Sequence, residues 1–551
     1  MADKEYKIAA VIIGVFIFAL CGGMQTLDTS NISWMWHGDT TQHWLGWNFF
    51  RNTPLLQWPL GLNYPYGMDV SSSIVFTDSI PLIAFLLKPF SKMLPDIFQY
   101  TGIWLMLCLV FQALGSYILV RNRTQSKIYA LLCVPLFCLS PVMFFRMSGH
   151  FALSAHFLII ASIILYYNKN NFGKWLALIC ISALIHFYLT AMILSIYMAF
   201  LIKVISEDRE RIKQCALWAS ATFVSLFIVM YSAGYFVIAD GADGFGYGLY
   251  KLNLLSFFNP MYHDFSSIIS PSVLMPGDYE GFAYLGLGVA VLIIFSFISF
   301  CLKRGTTYTS LPLIFVCFLL FLFAVSNNIF AGDRNLLLLP LPEFALKIAN
   351  IFRSSGRFIW PVIYIAILLS LVYLKTIINR RSAYIIVITC VAVQIYDIRG
   401  AFNFLDKRYS ERGDISQGVD VKSLSELLKF KSAIEVIKPI DFYNDWSKIG
   451  YVSSINKVSM NFGYMARFSK SAKIQQEKSI YNTMYNGIYN PSHLYLFKNK
   501  ETLNIALKNI KQKSFVKYIS GYYALSVSNE QIDNNNALSK DEYYKLLYSL
   551  R

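Results

Sequence analysis

The first residues in the chain with an evident chemical use lie between Trp34 and Tyr66 (WMWHGDTTQHWLGWNFFRNTPLLQWPLGLNYPY), directly after the first hydrophobic segment. Four tryptophans precede Asn52, and with them stand the Asp39 carboxylate, two of the seven histidines (His37 and His43) and Arg51. Rings with a polar edge belong at a membrane–water boundary. A carboxylate held among them is placed to act on something carried by lipid. Asp39 is therefore the candidate general base, with His37, His43 and Trp44 as candidate substrate contacts. The same pattern also suits an interfacial anchor around an ordinary solvated Asp39. His37, Asp39 and His43 read as H-x-D-x3-H, a spacing open to a divalent cation, although an interfacial imidazole is commonly just a polar edge. No metal site or cofactor is expected beyond that possible cation. Asp78 and Glu280 are the next acidic candidates at membrane edges.

These residues need a frame, and composition says which kind. The 551-residue chain is 56% hydrophobic and 15% charged, where a soluble domain carries about 25% charge. A bundle of spanning helices is implied. The net charge of +16 is spread over short loops between apolar segments and forms no Arg- or Lys-rich block, so nucleic acid is not the expected partner. All nine cysteines fall in or beside apolar segments without a CxxC pair, which argues against a disulfide framework and a zinc site. The segment Met1–Leu27 resembles a signal peptide but lacks a small-residue cleavage site, and reads as a retained anchor helix.

With about 20 apolar residues per crossing, eleven segments qualify: 7–26, 99–120, 128–146, 151–167, 174–187, 188–204, 214–236, 283–302, 311–327, 358–374 and 382–398. The 174–187 and 188–204 pair is divided at His186 by a tight turn, and 80–94 reads as a juxtamembrane or re-entrant helix. With the N-terminus inside, sixteen Lys and Arg fall in six short inner loops, including Lys169 and Arg304, against nine in the much longer outer loops. The histidines and the loops 27–98, 237–282 and 328–357 then all face outward. In a bacterial inner membrane that side is the periplasm. The spans lack a mid-membrane ionisable group of the kind ion-coupled transporters use. The module 1–400 is followed by a polar, Lys-rich region, 401–551. Its β-like runs at Ala433–Ile437, Lys457–Asn461, His493–Phe497 and Phe515–Val527 alternate with helical ones, predicting a periplasmic α/β domain. Its excess of basic residues suits anionic headgroups or a glycan, and equally suits simple solubility.

Several stretches resemble an uncharacterised family of bacterial membrane proteins placed near the GT-C glycosyltransferase superfamily: HGDTTQHWLGWNFFR, WPLGLNYPYG, SSSIVFTDSIPL, SPVMFFRMSGHFALSAHFLI, NLLSFFNP, YEGFAYLGLG and IFRSSGRFIWPV. The resemblance covers about residues 1–400. It implies an α-helical polytopic fold with an acidic residue in the first external loop. It also implies transfer of a sugar from a polyprenyl-phosphate carrier to a cell-surface glycan of the lipopolysaccharide or O-antigen type, or to a lipid. The frequent pair of aspartates one residue apart is absent here, where the chain reads Gly38-Asp39-Thr40-Thr41, which puts metal dependence in doubt. Such chemistry needs a base for the acceptor hydroxyl and cations for the leaving phosphate. Arg353 and Arg357, four apart on one expected helical face, and Arg146 with His150 are the candidate phosphate contacts. Each also has a plain reading, as a headgroup anchor or a helix cap. Two other functions fit the frame: a lipid-linked glycan flippase or exporter, and a non-enzymatic envelope assembly protein.

Overall fold

A computed structural model describes residues 3–70, 73–168, 171–238, 245–272, 275–303, 311–465, 467–532 and 538–549. The expected inner-loop charges Lys169 and Arg304 lie outside them. The chain divides into two compact units. A helical unit contains residues 1–29, 100–230 and 243–411, and a sheet-containing unit contains 30–99, 231–242 and 412–551.

In the helical unit, apolar helices dominate, but fewer are full-length than the apolar segments suggest. Among the described residues four are long and apolar enough to cross a membrane: Thr101–Thr124, Phe187–Glu207, Arg209–Ala233 and Ser355–Ile377. Two bent pairs raise the number to six if each is one span: Lys127–Cys138 with Pro141–Met147 at 51°, and Arg380–Asp397 with Arg399–Ser410 at 48°. The first bend has a local cause. Ser140 is extended ahead of Pro141, whose ring excludes a helical preceding residue and suits the first position of a new helix. The segment 151–167 opens as a 3-10 turn over Phe151–Ser154 and becomes α-helical only from Phe157. The predicted turn before 188 is present: helix Phe172–Ala183 stops, and the His186 side chain accepts from the Tyr188 N–H to start the next helix. The helix Ile212–Ala233 leaves Leu217, Phe227 and Ile228 exposed, as suits an apolar helix facing lipid. A short antiparallel hairpin, β1 (Asn328–Ala331) and β2 (Arg334–Leu338), follows helix Leu311–Val325.

In the sheet-containing unit, the strands are β3 (Ala433–Val436), β4 (Ser459–Met460), β5 (His493–Phe497), β6 (Gln512–Ile519) and β7 (Tyr522–Gln531). They are arranged in the order β4-β3-β5-β7-β6. β3 runs parallel to β4 and β5, and the β6–β7 hairpin is antiparallel. The single run expected over Phe515–Val527 is thus two strands. Ser520 and Gly521 both take positive φ between them, the conformation that matches hairpin twist. The 80–94 segment is a short helix, Pro81–Leu87, ending in a 3-10 turn.

The boundary at residue 400 is redrawn in one respect. Residues 30–99, expected to go with the membrane module, share a core with 412–551. Trp36, Trp44 and Tyr451 meet edge to face or tilted, with ring centroids 5.6–6.0 Å apart. Asn48 donates to the Ser454 hydroxyl at 3.0 Å, and backbone bonds link Gly67 and Pro65 to Met460 at the sheet edge. The interfacial reading of the tryptophans is corrected by this packing. Trp34, Trp36, Trp44 and Trp47 are all buried, because burying so much ring area in a protein core outweighs leaving it at a surface.

Candidate functional site

The helical unit gathers three of the sequence-selected residues around a fourth, the Glu280 carboxylate. Glu280 lies in the 3-10 turn Asp278–Gly281. Arg357 donates to its Oε2 from Nε at 2.9 Å and from Nη2 at 2.6 Å. Arg146 donates to the same oxygen at 3.1 Å and to the Glu280 carbonyl at 2.9 Å. His150 Nε2 stands 4.0 Å from the other carboxylate oxygen. All but His150 are buried. Aromatic rings complete the walls: Arg357 lies 4.8 Å from the Tyr188 centroid, and Arg146 lies 5.0 Å from Phe145 and 5.5 Å from Trp360. Burial alone would push the Glu280 carboxyl up. Arg357, Arg146 and His150 outweigh burial and hold it well below the usual carboxylate range.

Two glycines let these elements meet. A Cβ on Gly281 would stand 1.9 Å from the Lys251 carbonyl oxygen, and one on Gly356 would stand 2.5 Å from the Gly281 Cα. The YEG and SSGR stretches therefore pass backbone against backbone, which brings Arg357 onto Glu280. Gly277, at φ +87°, turns the chain into the 278–281 segment. Arg146 comes from the last turn of Pro141–Met147.

This geometry changes the reading of four residues. Arg353 and Arg357 do not share a helical face: the 3-10 turn Asn350–Phe352 and the turn Ser355–Ile359 are separated by the non-helical Ser354. Arg357 and Arg146 are committed to Glu280 and so are not open phosphate contacts. Glu280 is a poor base, because two guanidiniums stabilise its charged form. Arg353 differs. It is half-buried, its guanidinium carbon lies 5.9 Å from the Tyr250 centroid, and among the described residues no carboxylate pairs with it. Two guanidiniums thus meet one carboxylate, which leaves this pair of arginines and Glu280 with one positive charge in excess.

In the sheet-containing unit, Asp39 is not in a loop. It opens helix Asp39–Phe50, where the helix dipole favours a carboxylate, and it is half-buried. His43 lies one turn on, on the same face, and is buried. Its Nε2 stands 3.8 Å from Asp78 Oδ2. The Ser79 hydroxyl donates to the His43 carbonyl at 2.7 Å. Asp78 and Ile80 both take positive φ, at 53° and 50°, and a branched side chain at such φ marks strain. His37 precedes the helix, beyond Gly38, so the H-x-D-x3-H residues are not all on one element. Trp44 is a core residue, its indole N–H donating to the Phe98 carbonyl at 3.1 Å.

The domain described as "Domain of unknown function (DUF6311)" matches residues 11–399, and the "DUF6311 C-terminal domain" matches residues 423–527. The chain belongs to the DUF6311 family. No curated protein matches it. The Glu280 cluster and the Asp39–His43 helix start both lie in or on stretches covered by the first DUF6311 domain.

Sequence reasoning missed two buried carboxylates in the helical unit of this DUF6311 chain. Asp278 faces Lys251 at 3.6 Å and accepts from Asn253 Nδ2 at 3.1 Å. Burial lowers the Lys251 pKa, and Asp278 opposes that shift. Asp397 accepts from Ser266, from the Tyr284 hydroxyl at 2.6 Å and from the Leu287 N–H at 2.8 Å. Both tie loop segments to helix ends. Nothing in their sequence neighbourhood separates them from ordinary loop charges, because their partners are up to 131 residues away.

Proposed function

We propose that this chain is a membrane glycosyltransferase of the GT-C kind, moving a hexose from a polyprenyl-phosphate carrier to a cell-surface glycan or lipid. In this reading it sits in a bacterial inner membrane with about eleven crossings, its N-terminus cytoplasmic and its C-terminal domain periplasmic. The observation that carries the proposal is Arg353: a guanidinium without a carboxylate partner among the described residues, just before the apolar helix Ser355–Ile377. A lipid phosphate at a membrane edge needs a cation there, and a planar guanidinium can grip it with two donors. The Glu280 cluster supports this with one positive charge in excess, its Arg357 four residues along the chain from Arg353, while staying locked itself.

The chemistry follows from the donor. The bond between the anomeric carbon and the phosphate oxygen breaks, the acceptor oxygen bonds to that carbon, and the acceptor proton passes to a base. The growing charge on the phosphate is met by Arg353. The resemblance assigns the base to Asp39. Arg353→Ala should lower donor-dependent transfer by about a hundredfold, on the scale of one lost transition-state donor, and Arg353→Lys by less. Transfer from a polyprenyl-phosphate hexose by the purified protein in detergent reads this. Activity of Arg353→Ala within a few-fold of the parent would remove the phosphate assignment. Identical surface glycans in cells with and without the gene would remove the transferase reading.

A further inference from the structure

The sheet-containing unit holds a cavity of about 230 Å³ that the proposed transfer chemistry does not use. Its wall is aromatic. Trp446, the first residue of helix Trp446–Ile455, stacks on Tyr464 with centroids 5.4 Å apart and planes 28° from parallel. Both rings are half-exposed, and Tyr443 beside them is exposed. Phe462 and Phe468 complete the apolar lining.

The platform is held in place from below. The Tyr464 carbonyl accepts from Gln42 Nε2 and from the Tyr66 hydroxyl, each at 2.8 Å. Tyr66 is fully buried, and a Cβ on Gly463 would stand 2.9 Å from its ring, so the backbone beside Tyr464 lies directly on it. Asn461, at the cavity floor, has its amide used by the Val436 backbone on both sides, at 2.9 and 3.2 Å. The Asn461 amide is already used and the backbone that carries Tyr464 is held before any ligand arrives.

The rim is polar and carries no net charge. Lys473 and Glu477 lie one turn apart on helix Lys470–Asn486, and Gln476 lies between them. An aromatic floor wants a ligand with an apolar face, and an uncharged hydrogen-bonding rim wants hydroxyls at its edge. The charge balance disfavours a phosphate or other anion. The volume lies below the roughly 300–1,000 Å³ of ordinary ligand pockets, which limits the occupant to about one ring.

We propose that this cavity binds one neutral sugar residue of a glycan chain, its C–H face against Trp446 of the Trp446–Tyr464 stack and its hydroxyls toward Lys473, Gln476 and Glu477. The inference does not depend on the chain being a transferase. The test uses the full-length protein in detergent and a panel of soluble oligosaccharides of glucose, galactose, mannose and rhamnose, read by saturation-transfer NMR and titration. At least one should bind. Its affinity should fall by about tenfold or more in Trp446→Ala, the scale of one lost stacking contact, and less in Trp446→Phe. Tyr443→Ala, at an exposed position, should weaken binding without affecting folding. Thermal unfolding of each variant separates lost binding from lost structure. Failure of the whole panel to bind overturns the proposal, as does binding unchanged in Trp446→Ala and Tyr443→Ala. Capture of phosphatidylglycerol vesicles that is lost in Trp446→Ala would make the rings a lipid anchor and also overturn it.

Discussion

Two of the regions that hold a carboxylate beside an imidazole, around Glu280 and around Asp39, differ in what surrounds the charge. Glu280 is buried, with two guanidiniums on one of its oxygens and a third contact to its own carbonyl. Asp39 is half-buried at a helix start, one turn before His43, and the nearby Asp78 sits at φ 53°, two residues before the strained Ile80. The first arrangement neutralises and locks its charge, and the second keeps a carboxylate half-buried at a helix N-terminus. The lesson concerns commitment of charge. A residue type suited to chemistry is available for it only if the fold has not already spent its charge on another side chain.

The sharpest way to break this comparison is Asp39→Asn, which keeps the shape and removes the base. If Asp39 is the base, transfer should fall by about 10²–10⁴-fold while the melting temperature stays near that of the parent. Near-normal turnover would move the base to Asp78, the carboxylate 3.8 Å from His43.

Glu280 should respond in the opposite sense, through folding. Glu280→Ala leaves two buried guanidiniums without their counter-charge, a loss of about 3–5 kcal/mol on the scale of broken buried pairs. Thermal unfolding in detergent should show a large drop, with a smaller one for Glu280→Gln, which retains a carbonyl acceptor. A Glu280→Ala protein as stable as the parent would show that the cluster is not locked.

Acid sharpens the same point. The Glu280 pKa is depressed in the folded chain. Its contribution is therefore fully present above the unfolded value of about 4.3 and is lost as pH falls from there toward the lower folded value. The stability gap between the parent and Glu280→Gln should thus be constant at neutral pH and narrow below about pH 4. A gap independent of pH down to the acid limit would mean that the carboxylate is not held ionised.

The smallest expected effect belongs to Trp44→Phe. As a core residue donating to Phe98, it should cost about 1 kcal/mol for the lost hydrogen bond, plus the smaller ring's packing. As an interfacial anchor it would leave stability unchanged and weaken membrane association instead, so unfolding and membrane flotation of the variant separate the two.

Much of the architecture was legible in the sequence because it is periodic or compositional. The apolar runs mark the helices, and the turn at His186 and the polar α/β region after 400 follow from local patterns. Spacing along the chain also singled out Arg146, His150 and Arg357, and a place at a membrane edge singled out Glu280, without indicating that they meet. Local pattern could not show that Ser140-Pro141 and Phe151–Ser154 interrupt apolar runs that read as continuous, since hydrophobicity counts residues and not backbone turns. Nor could it show that the tryptophans of 34–47 would be buried against Tyr451, or that Arg357 would be held by a carboxylate 77 residues away while Arg353 was not. Those outcomes depend on which distant segments approach each other. Here the approach is decided by glycines, Gly281 and Gly356, whose missing side chains let two backbones touch. The sequence by itself determined the inventory of charged groups and the helices and strands that carry them. The tertiary structure alone decided which charges cancel and which remain for a substrate, because electrostatic pairing acts through space and not along the chain.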